Sequence, residues 1–285
     1  MRLYVFVLII MLISACRLTN REKQKANSTE RRIVCISKQY SEIIYALGAE
    51  EELVAVDVSS TYPEKIKELP TVGYHRALAA EGILAAKPTL ILHDNNIGPE
   101  HVVRQLENLG IPMKSFESKG NDINSTKALI KEAGDFFHKE KQADSICAIL
   151  DDEMEHALQN TSSYKDRPSV LVIHFGLASN VYLVMTAKSV AANLIQWAGG
   201  RMAVHDEKGM KQLSAEVVAA SNPDVILLTD FGYDRLGSKA KIKELPGVAA
   251  TNAAKNNRIY RIEEHDLAYL GPRTGRNILM IQKLI

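Results

Sequence analysis

The stretch VGYHRALAAEGILAAKPTLIL (Val72–Leu92) has a close counterpart in KGMKQLSAEVVAASNPDVILL (Lys208–Leu228). Aligned on Glu81 and Glu216, each copy has a proline seven residues later and then an aliphatic run. The alanine-rich residues after each glutamate predict a short helix that the proline ends, and the aliphatic run is typical of a buried parallel strand. The 135-residue spacing of the glutamates is far longer than a solenoid repeat, so it predicts two related lobes.

The chain begins MRLYVFVLIIMLISAC, in which one arginine precedes an apolar run that ends at Cys16. The run of thirteen residues from Leu3 to Ala15 extends about 20 Å as a helix, short of the roughly 30 Å hydrocarbon core of a bilayer. Residues 1–16 are therefore predicted to be a secretory signal peptide. Ile13–Cys16 resembles a bacterial lipobox, which implies acylation of Cys16 and anchoring on a membrane surface. An ordinary signal peptide with an incidental cysteine is the alternative.

Residues 17–30 are polar, lack hydrophobic periodicity and are predicted to be a flexible tether. The rest of the chain, about 255 residues, is long enough for two lobes with cores of their own. A formal net charge of +1 gives no reason to expect a nucleic-acid partner. The other cysteines, Cys35 and Cys147, each lie in an apolar or helical run, which favours two separate buried thiols over one disulfide.

Predicted strands and helices alternate from Ile33 to Phe116, and the alternation resumes at Ser169. Between these regions, residues 123–160 contain no proline and predict one helix of some 35 residues, about 50 Å long. The sequence thus predicts an α/β protein with parallel sheets. Its parts are an N-terminal lobe (31–122), a bridging helix (123–160) and a C-terminal lobe (161–285).

Ligands of open α/β sheets bind beyond the carboxyl ends of the strands, and a cleft between two lobes is a common small-molecule site. Polar and aromatic residues follow or end three predicted strands, at His93–Asp94, His174–Phe175 and Asp230–Tyr233. We therefore expect the binding site to lie in the cleft, near these residues.

Four strings together resemble a known family: LPTVGYHRALAAEGILAAKPTLIL, WAGGRMAV, LSAEVVAASNPDVILL and LGPRTGRNIL. They are similar to the substrate-binding proteins of ABC importers, and within these to the HmuT-type haem-binding branch. The resemblance extends from Arg31 onward, and Val-Gly-Tyr-x-Arg-x-Leu-x-Ala-Glu-Gly is its most specific part. It implies the class III periplasmic-binding-protein fold, in which two Rossmann-like lobes with parallel sheets are joined by a single long helix.

The resemblance also implies a function. Haem would be captured in the cleft between the lobes and delivered to an ABC permease dimer with its ATPase subunits. The protein would be an exported monomer, held at the membrane by its N-terminal lipid, and it would catalyse no reaction.

Tyr74 matches the tyrosine that ligates haem iron in this family. A phenolate is a hard anionic donor suited to ferric iron, and the iron charge favours its ionisation although a free phenol has a pKa near 10. Arg76 is expected to assist the phenolate or to contact a haem propionate. His174 is the expected ligand from the second lobe, and Tyr233 is a further cleft residue. Arg273 is expected to pair with a propionate or to cap local carbonyl groups.

Neighbouring side chains of an extended segment point in opposite directions, so His75 is expected to face solvent or to serve a second haem. The resemblance assigns Glu81 and Glu216 to docking, one carboxylate per lobe against arginines of one permease half. Two equivalent sites suit a two-fold symmetric partner, and exposed ion pairs worth about 0–1 kcal/mol would set register more than affinity. Only the first copy carries Tyr-His-Arg because one lobe can supply the principal iron ligand.

Cobalamin, a ferric siderophore or a metal ion on the same fold remain open as alternatives. A bare metal ion needs three or four converging ligands, and the histidines available for that are His75, His93, His174 and His265. An enzyme with a metal cluster on this scaffold would need more cysteines than Cys35 and Cys147. The sequence also contains no nucleophile elbow and no phosphate loop.

Overall fold

The computed structural model describes residues 31–177 and 179–285, which form two α/β lobes. The signal peptide predicted for residues 1–16, its acylated Cys16 and the tether predicted for residues 17–30 lie outside the described residues. None of the helices in the described ranges is both long enough and apolar enough to span a bilayer.

The first lobe is built on a parallel sheet of four strands in the order β2-β1-β3-β4. The strand β1 lies inside this sheet and every residue in it is buried, as expected for a parallel strand covered on both faces. The strands are β1 (Ile33–Ile36), β2 (Leu53–Val56), β3 (Leu90–His93) and β4 (Met113–Lys114). The helices are α1 (Lys38–Leu47), α2 (Ala80–Ala85) and α3 (Glu100–Asn108), with 3₁₀ helices at Glu50–Glu52 and Glu64–Glu68.

The predicted single helix over residues 123–160 is two helices, α4 (Ile123–Phe137) and α5 (Glu140–Ser162). The chain reverses at His138, whose φ of 55° is left-handed, and α4 packs antiparallel on α5. Lys127 of α4 accordingly pairs with Asp151 of α5 at 2.8 Å. Only α5, 23 residues and about 35 Å long, runs between the lobes, where it contacts α1 on one side and the C-terminal helix on the other.

The second lobe has a mixed sheet, so the prediction of parallel strands throughout holds only for the first lobe. Four of its strands are parallel in the order β7-β5-β9-β10, while β6 pairs antiparallel with β5 and with β8. The strands are β5 (Ser169–Gly176), β6 (Val181–Met185), β7 (Arg201–Met202), β8 (Met210–Gln212), β9 (Val225–Thr229) and β10 (Ile259–Ile262). The helices are α6 (Val190–Trp197), α7 (Ala215–Ser221), α8 (Asp230–Leu236), α9 (Lys239–Lys243), α10 (Asn252–Lys255), α11 (His265–Ala268) and α12 (Thr274–Gln282), with a 3₁₀ helix at Val248–Ala250.

The two lobes share one topology once β6 and β8 are set aside. In chain order, the parallel strands of each lobe are arranged second, first, third, fourth. The repeated sequence forms α2 and β3 in the first lobe and α7 and β9 in the second, and these take equivalent places. The prediction of two related lobes from the repeat is therefore consistent with the strand order.

A single apolar cluster continues from the first lobe along α5 into the second lobe. It joins buried residues of β1 and α1 to residues of β5, α6 and α12. Cys35 and Cys147 are both buried and unpaired, as the sequence indicated. A shared core of this kind opposes free hinge motion between the lobes.

Candidate functional site

A cavity of about 780 Å³ lies at the seam between the lobes. Several second-lobe residues in its wall follow strands, since Asp230 comes directly after β9 and Glu263 directly after β10. The first lobe contributes Thr61, Tyr62, Glu64 and Lys67, and the second contributes Asp230, Phe231, Asp234, Arg235, Arg261, Glu263, His265, Asp266 and Arg273. The cleft is therefore at the carboxyl ends of the strands, as the sequence predicted.

Tyr74 lies half-buried in the loop before α2, where its ring packs against the ring of His75. Its hydroxyl has no hydrogen-bond partner among residues 31–177 and 179–285. Burial raises the pKa of Tyr74, and the Glu264 carboxylate of the second lobe raises it further, whereas Arg76 lowers it. Without a cation the phenol is therefore neutral at neutral pH.

His75 does not face solvent, because the Tyr74 loop is a turn and not an extended segment. The amide of Ala77 donates to the carbonyl of Tyr74 at 2.8 Å, which closes the turn. The His75 imidazole is consequently directed into its own lobe, where Nδ1 lies 3.1 Å from Oδ2 of the buried Asp57. The expectation that His75 faces solvent is wrong for this reason.

His174 lies within β5 (Ser169–Gly176), two residues before the end of the strand. It is 7% exposed, and Nδ1 lies 3.4 Å from the Thr229 hydroxyl and 4.0 Å from the Glu264 carboxylate. Burial lowers the pKa of His174, so its imidazole is neutral at neutral pH. His174 does not belong to the wall of the 780 Å³ cavity.

Glu264 links the Tyr74 side of the cleft to His174. Its carboxylate accepts a 2.7 Å hydrogen bond from the ammonium of Lys38, which begins α1 of the other lobe. Burial would raise the pKa of Glu264, but Lys38 and His174 hold it below its usual range. Glu264 comes two residues after β10, but its contacts with Lys38 and His174 are long-range and no sequence motif indicates them.

Arg273 lines the cavity, but protein carboxylates occupy most of its donors. Nε and Nη2 donate to Glu42 of α1 at 3.0 and 3.1 Å, and Nη1 donates to Asp266 at 2.7 Å. The guanidinium also lies 3.5 Å over the Tyr62 ring. The contacts with Glu42 and Tyr62 cross between the lobes, so they fit a structural role better than the predicted contact with a propionate.

Arg235 has no carboxylate partner among the described residues, unlike the other cations of the cavity wall. Its guanidinium lies 4.9 Å from the ring centre of Phe175. Arg261 pairs with Asp234, and Lys67 pairs with Glu64. Arg235 was not among the predicted site residues, although it stands two residues after Tyr233.

Tyr233 itself packs against the core of the second lobe and is not in the cavity wall. Its predicted role in the cleft finds no support in this position. Within residues 31–177 and 179–285, no three His, Cys, Asp or Glu residues converge as they would around a bare metal ion.

Glu81 and Glu216 occupy the same position in equivalent helices. Each is the second residue of its helix, α2 or α7, and each is exposed. Neither forms an ion pair with any described residue. The two carboxylates are thus presented to solvent from both lobes.

Comparison with known proteins places the fold in a family. The chain belongs to the periplasmic binding protein family, whose model matches residues 33–265. The structure is similar to that of the periplasmic haem-binding protein RhuT from Roseiflexus sp. RS-1, with a TM-score of 0.81 and 32% identity over 90% of this chain and 97% of RhuT. Further structures of periplasmic haem-binding proteins match with TM-scores of 0.74 to 0.78.

Curated relatives show a wider range of names. An uncharacterized ABC transporter substrate-binding lipoprotein of Bacillus subtilis, YvrC, is 26% identical over 85% of this chain and 76% of its own length. The vitamin B12-binding protein of Pectobacterium atrosepticum is 24% identical over 71% of this chain and 73% of its own length. All of these proteins are described as binding proteins.

Proposed function

We propose that this protein captures ferric haem between its lobes and delivers it to an ABC permease, with Tyr74 as an iron ligand. The observation that carries the proposal is the half-buried Tyr74, whose hydroxyl has no hydrogen-bond partner among the described residues and whose pKa is raised by Glu264 of the second lobe. The cavity of about 780 Å³ between the lobes is within the usual volume of small-molecule sites, although Tyr74 is not part of its wall.

Tyr74 suits a ferric centre better than a neutral ligand. Its phenol stays protonated without a cation, because burial and Glu264 raise its pKa. Ferric iron would supply the missing positive charge and favour the phenolate, which is a known axial ligand of haem. Arg76 adds a positive charge on the same side.

The haem carboxylates would be met by Arg76 and Arg235, since Arg273 is engaged with protein carboxylates. Guanidinium groups suit carboxylates because they donate two parallel hydrogen bonds. His174 remains the proposed ligand from the second lobe, because burial keeps its imidazole neutral, the form that binds metals.

The comparisons support haem over cobalamin. RhuT, which is named as a haem-binding protein, is more similar in sequence than the vitamin B12-binding relative. Cobalamin carries amide groups where haem carries carboxylates, so it would leave Arg76 and Arg235 without charged partners. Cobalamin is nevertheless the second candidate, since the relative is named for binding it.

Delivery would use Glu81 and Glu216, one from each lobe, against basic residues of the two permease halves. We also propose that Cys16 carries the lipid that holds the protein at the membrane, consistent with the name of the Bacillus subtilis relative. The protein would act by binding and release and catalyse no reaction, like the binding proteins it resembles.

Titration of the purified protein with ferric haem tests the proposal. We expect a shifted Soret band and the charge-transfer band of tyrosinate ligation. Tyr74→Phe should abolish that band and weaken binding by about tenfold or more. Tyr164→Phe, a change at an exposed tyrosine outside the cleft, is the matched control.

A wild-type titration that shows only the spectrum of free haem would contradict the proposal. If cobalamin then quenches the fluorescence of Trp197 in a saturable way, the second candidate is the function.

A further inference from the structure

The imidazole beside Tyr74 is anchored on a fully buried carboxylate. Asp57 is 0% exposed and accepts hydrogen bonds from the hydroxyls of Ser59 and Ser60 at 2.6 and 2.7 Å. Its Oδ2 is also 3.1 Å from Nδ1 of His75. Because a buried carboxylate needs such partners, the imidazole is held firmly in one orientation.

The other ring nitrogen of His75 is also directed toward its own lobe. Nε2 lies 3.5 Å from the side-chain nitrogen of Asn96. The backbone is fixed as well, because Gly98 donates to the His75 carbonyl at 2.8 Å and Leu78 donates to Gly98 at 2.9 Å. Neither nitrogen of His75 is therefore free to bind a second iron.

The imidazole of His75, fixed in this way, packs against the phenol ring of Tyr74. The centres of the two rings are 4.3 Å apart and their planes meet at 52°. Aromatic pairs at such distances attract each other beyond the effect of buried area. The contact limits the rotation of Tyr74 about its side-chain bonds.

We propose that His75, anchored on Asp57, is a positioning residue that orients the Tyr74 phenol for the iron. The inference rests on the proposed function of Tyr74 as the ligand. A ligand that is already oriented loses less conformational freedom when it binds, so the complex is tighter and its bond geometry more uniform.

Two substitutions separate the hydrogen bond between His75 and Asp57 from the aromatic contact between His75 and Tyr74. His75→Gln keeps a donor for Asp57 but removes the aromatic ring that packs against Tyr74. His75→Phe keeps an aromatic ring but cannot donate a hydrogen bond to Asp57. His101→Gln, at an exposed histidine of α3 in the same lobe, is the matched control.

The measurements are the rate of haem loss to an excess of a haem-scavenging globin and the absorption spectrum of the ferric complex. We expect both His75 variants to lose haem about three- to tenfold faster than wild type, as outer partners of metal ligands and aromatic pairs contribute on this scale. Their tyrosinate charge-transfer band should shift or broaden, while His101→Gln leaves rate and band unchanged. A role in stability alone would change the melting temperature and leave the band as it is.

The inference is overturned if both variants keep the wild-type band and lose haem within twofold of the wild-type rate. Should His75→Phe fail to fold, His75→Gln decides by the same criteria. Failure of the proposed function is distinct, since wild type itself would then show no tyrosinate band.

Discussion

At the scale of single residues, the surroundings of Tyr74 keep its phenol protonated in the absence of a bound cation. The Glu264 carboxylate and the buried Asp57 both raise the pKa of this phenol after burial has done so, and only Arg76 opposes them. The phenol therefore stays protonated unless a cation binds beside it. In the proposed complex, the ferric iron would supply that positive charge.

Replacement of Arg235 tests which cation meets the haem carboxylates. Arg235→Gln should weaken haem binding about three- to tenfold, because an accessible charged pair of this kind contributes about 1 kcal/mol. The difference from wild type should vanish for haem dimethyl ester, which lacks the carboxylates. Arg201→Gln, at an exposed arginine of β7, is the control. Equal losses for the acid and the ester would contradict the role.

Asp230 gives the stability of the protein a pH dependence. Burial raises the pKa of Asp230 to about 6, and the neighbouring Glu263 carboxylate adds to the shift. An unfolded aspartate titrates near 4, so the native state holds this proton more tightly. The stability that Asp230 contributes is therefore complete below about pH 4 and is lost as the pH rises to about 6.

The substitution Asp230→Asn should remove this loss of stability at higher pH. In urea unfolding at pH 7.5 we expect the variant to be more stable than wild type by about 1–2 kcal/mol, and at pH 4 the two should agree. Asp234→Asn is a contrast of opposite sign, since hydrogen bonds from Arg261 lower the pKa of Asp234. A variant of Asp230 that is less stable than wild type at pH 7.5 would refute the argument.

The sequence identified the residues whose chemistry is local and missed those defined by packing. Tyr74 stood out by its motif, whereas the roles of Glu264 and Asp57 depend on long-range contacts with Lys38 and His75. The orientation of His75 depends on a turn that no periodicity reveals. Arg235 differs from the other cavity cations only in having no carboxylate beside it, which is a property of the folded chain.

At the scale of elements, α12 approaches α5 so closely that only glycine fits at the crossing. A Cβ added to Gly275 would meet the side chain of Glu153 and lie 2.9 Å from the Glu153 carbonyl carbon. A backbone atom cannot rotate away, so either helix would have to shift.

Gly275→Ala should therefore destabilise the protein by about 1–3 kcal/mol, measured by urea unfolding. Gly82→Ala in α2 is the matched control, because its Cβ would lie 3.5 Å from the Val72 carbonyl oxygen, an ordinary contact. Alanine is the better helix former, so this control should be neutral or slightly stabilising. Equal effects of the two changes would show that the α5–α12 contact is loose.

The break between α4 and α5 could not be predicted from local signals. Residues near His138 include no proline, and the apolar spacing continues through the break. The reversal is fixed by tertiary packing, since Lys139 donates to Gly134 at 2.7 Å and Gly134 lies against Ala143. Helix propensity alone therefore predicts one helix, whereas tertiary packing divides the segment into two helices.

At the scale of the whole molecule, the lobes are joined by more than α5. Glu42 of α1 binds Arg273 and accepts a 2.7 Å hydrogen bond from Tyr269, while Lys38 binds Glu264. These buried pairs and the shared apolar core oppose large changes in the angle between the lobes. The separation of Glu81 from Glu216 is accordingly fixed, which suits docking on a partner of fixed spacing.

Removal of Glu81 and Glu216, the two carboxylates proposed for docking, should separate binding from delivery. Glu81→Ala combined with Glu216→Ala should leave haem affinity unchanged and reduce haem-dependent growth or uptake. The matched control replaces two other exposed glutamates, Glu51 and Glu155. Loss of haem binding in the double variant, or undiminished uptake, would contradict the docking role.

The repeated sequence predicted the large-scale design because both copies encode the same helix and strand. The strand β6 was predicted, but its antiparallel pairing and the strand β8 were not. The strand β8 has only three residues and all are exposed, so it carries no hydrophobic pattern. Its pairing with β6 is a long-range contact that the local sequence does not encode.

The most direct test of the central claim is a crystal structure of the protein with ferric haem. The account predicts haem between the lobes, with its iron bonded to the Tyr74 oxygen and the phenol ring still against His75. A structure in which the Tyr74 ring points away from the iron, with the metal bonded to another residue, would contradict it.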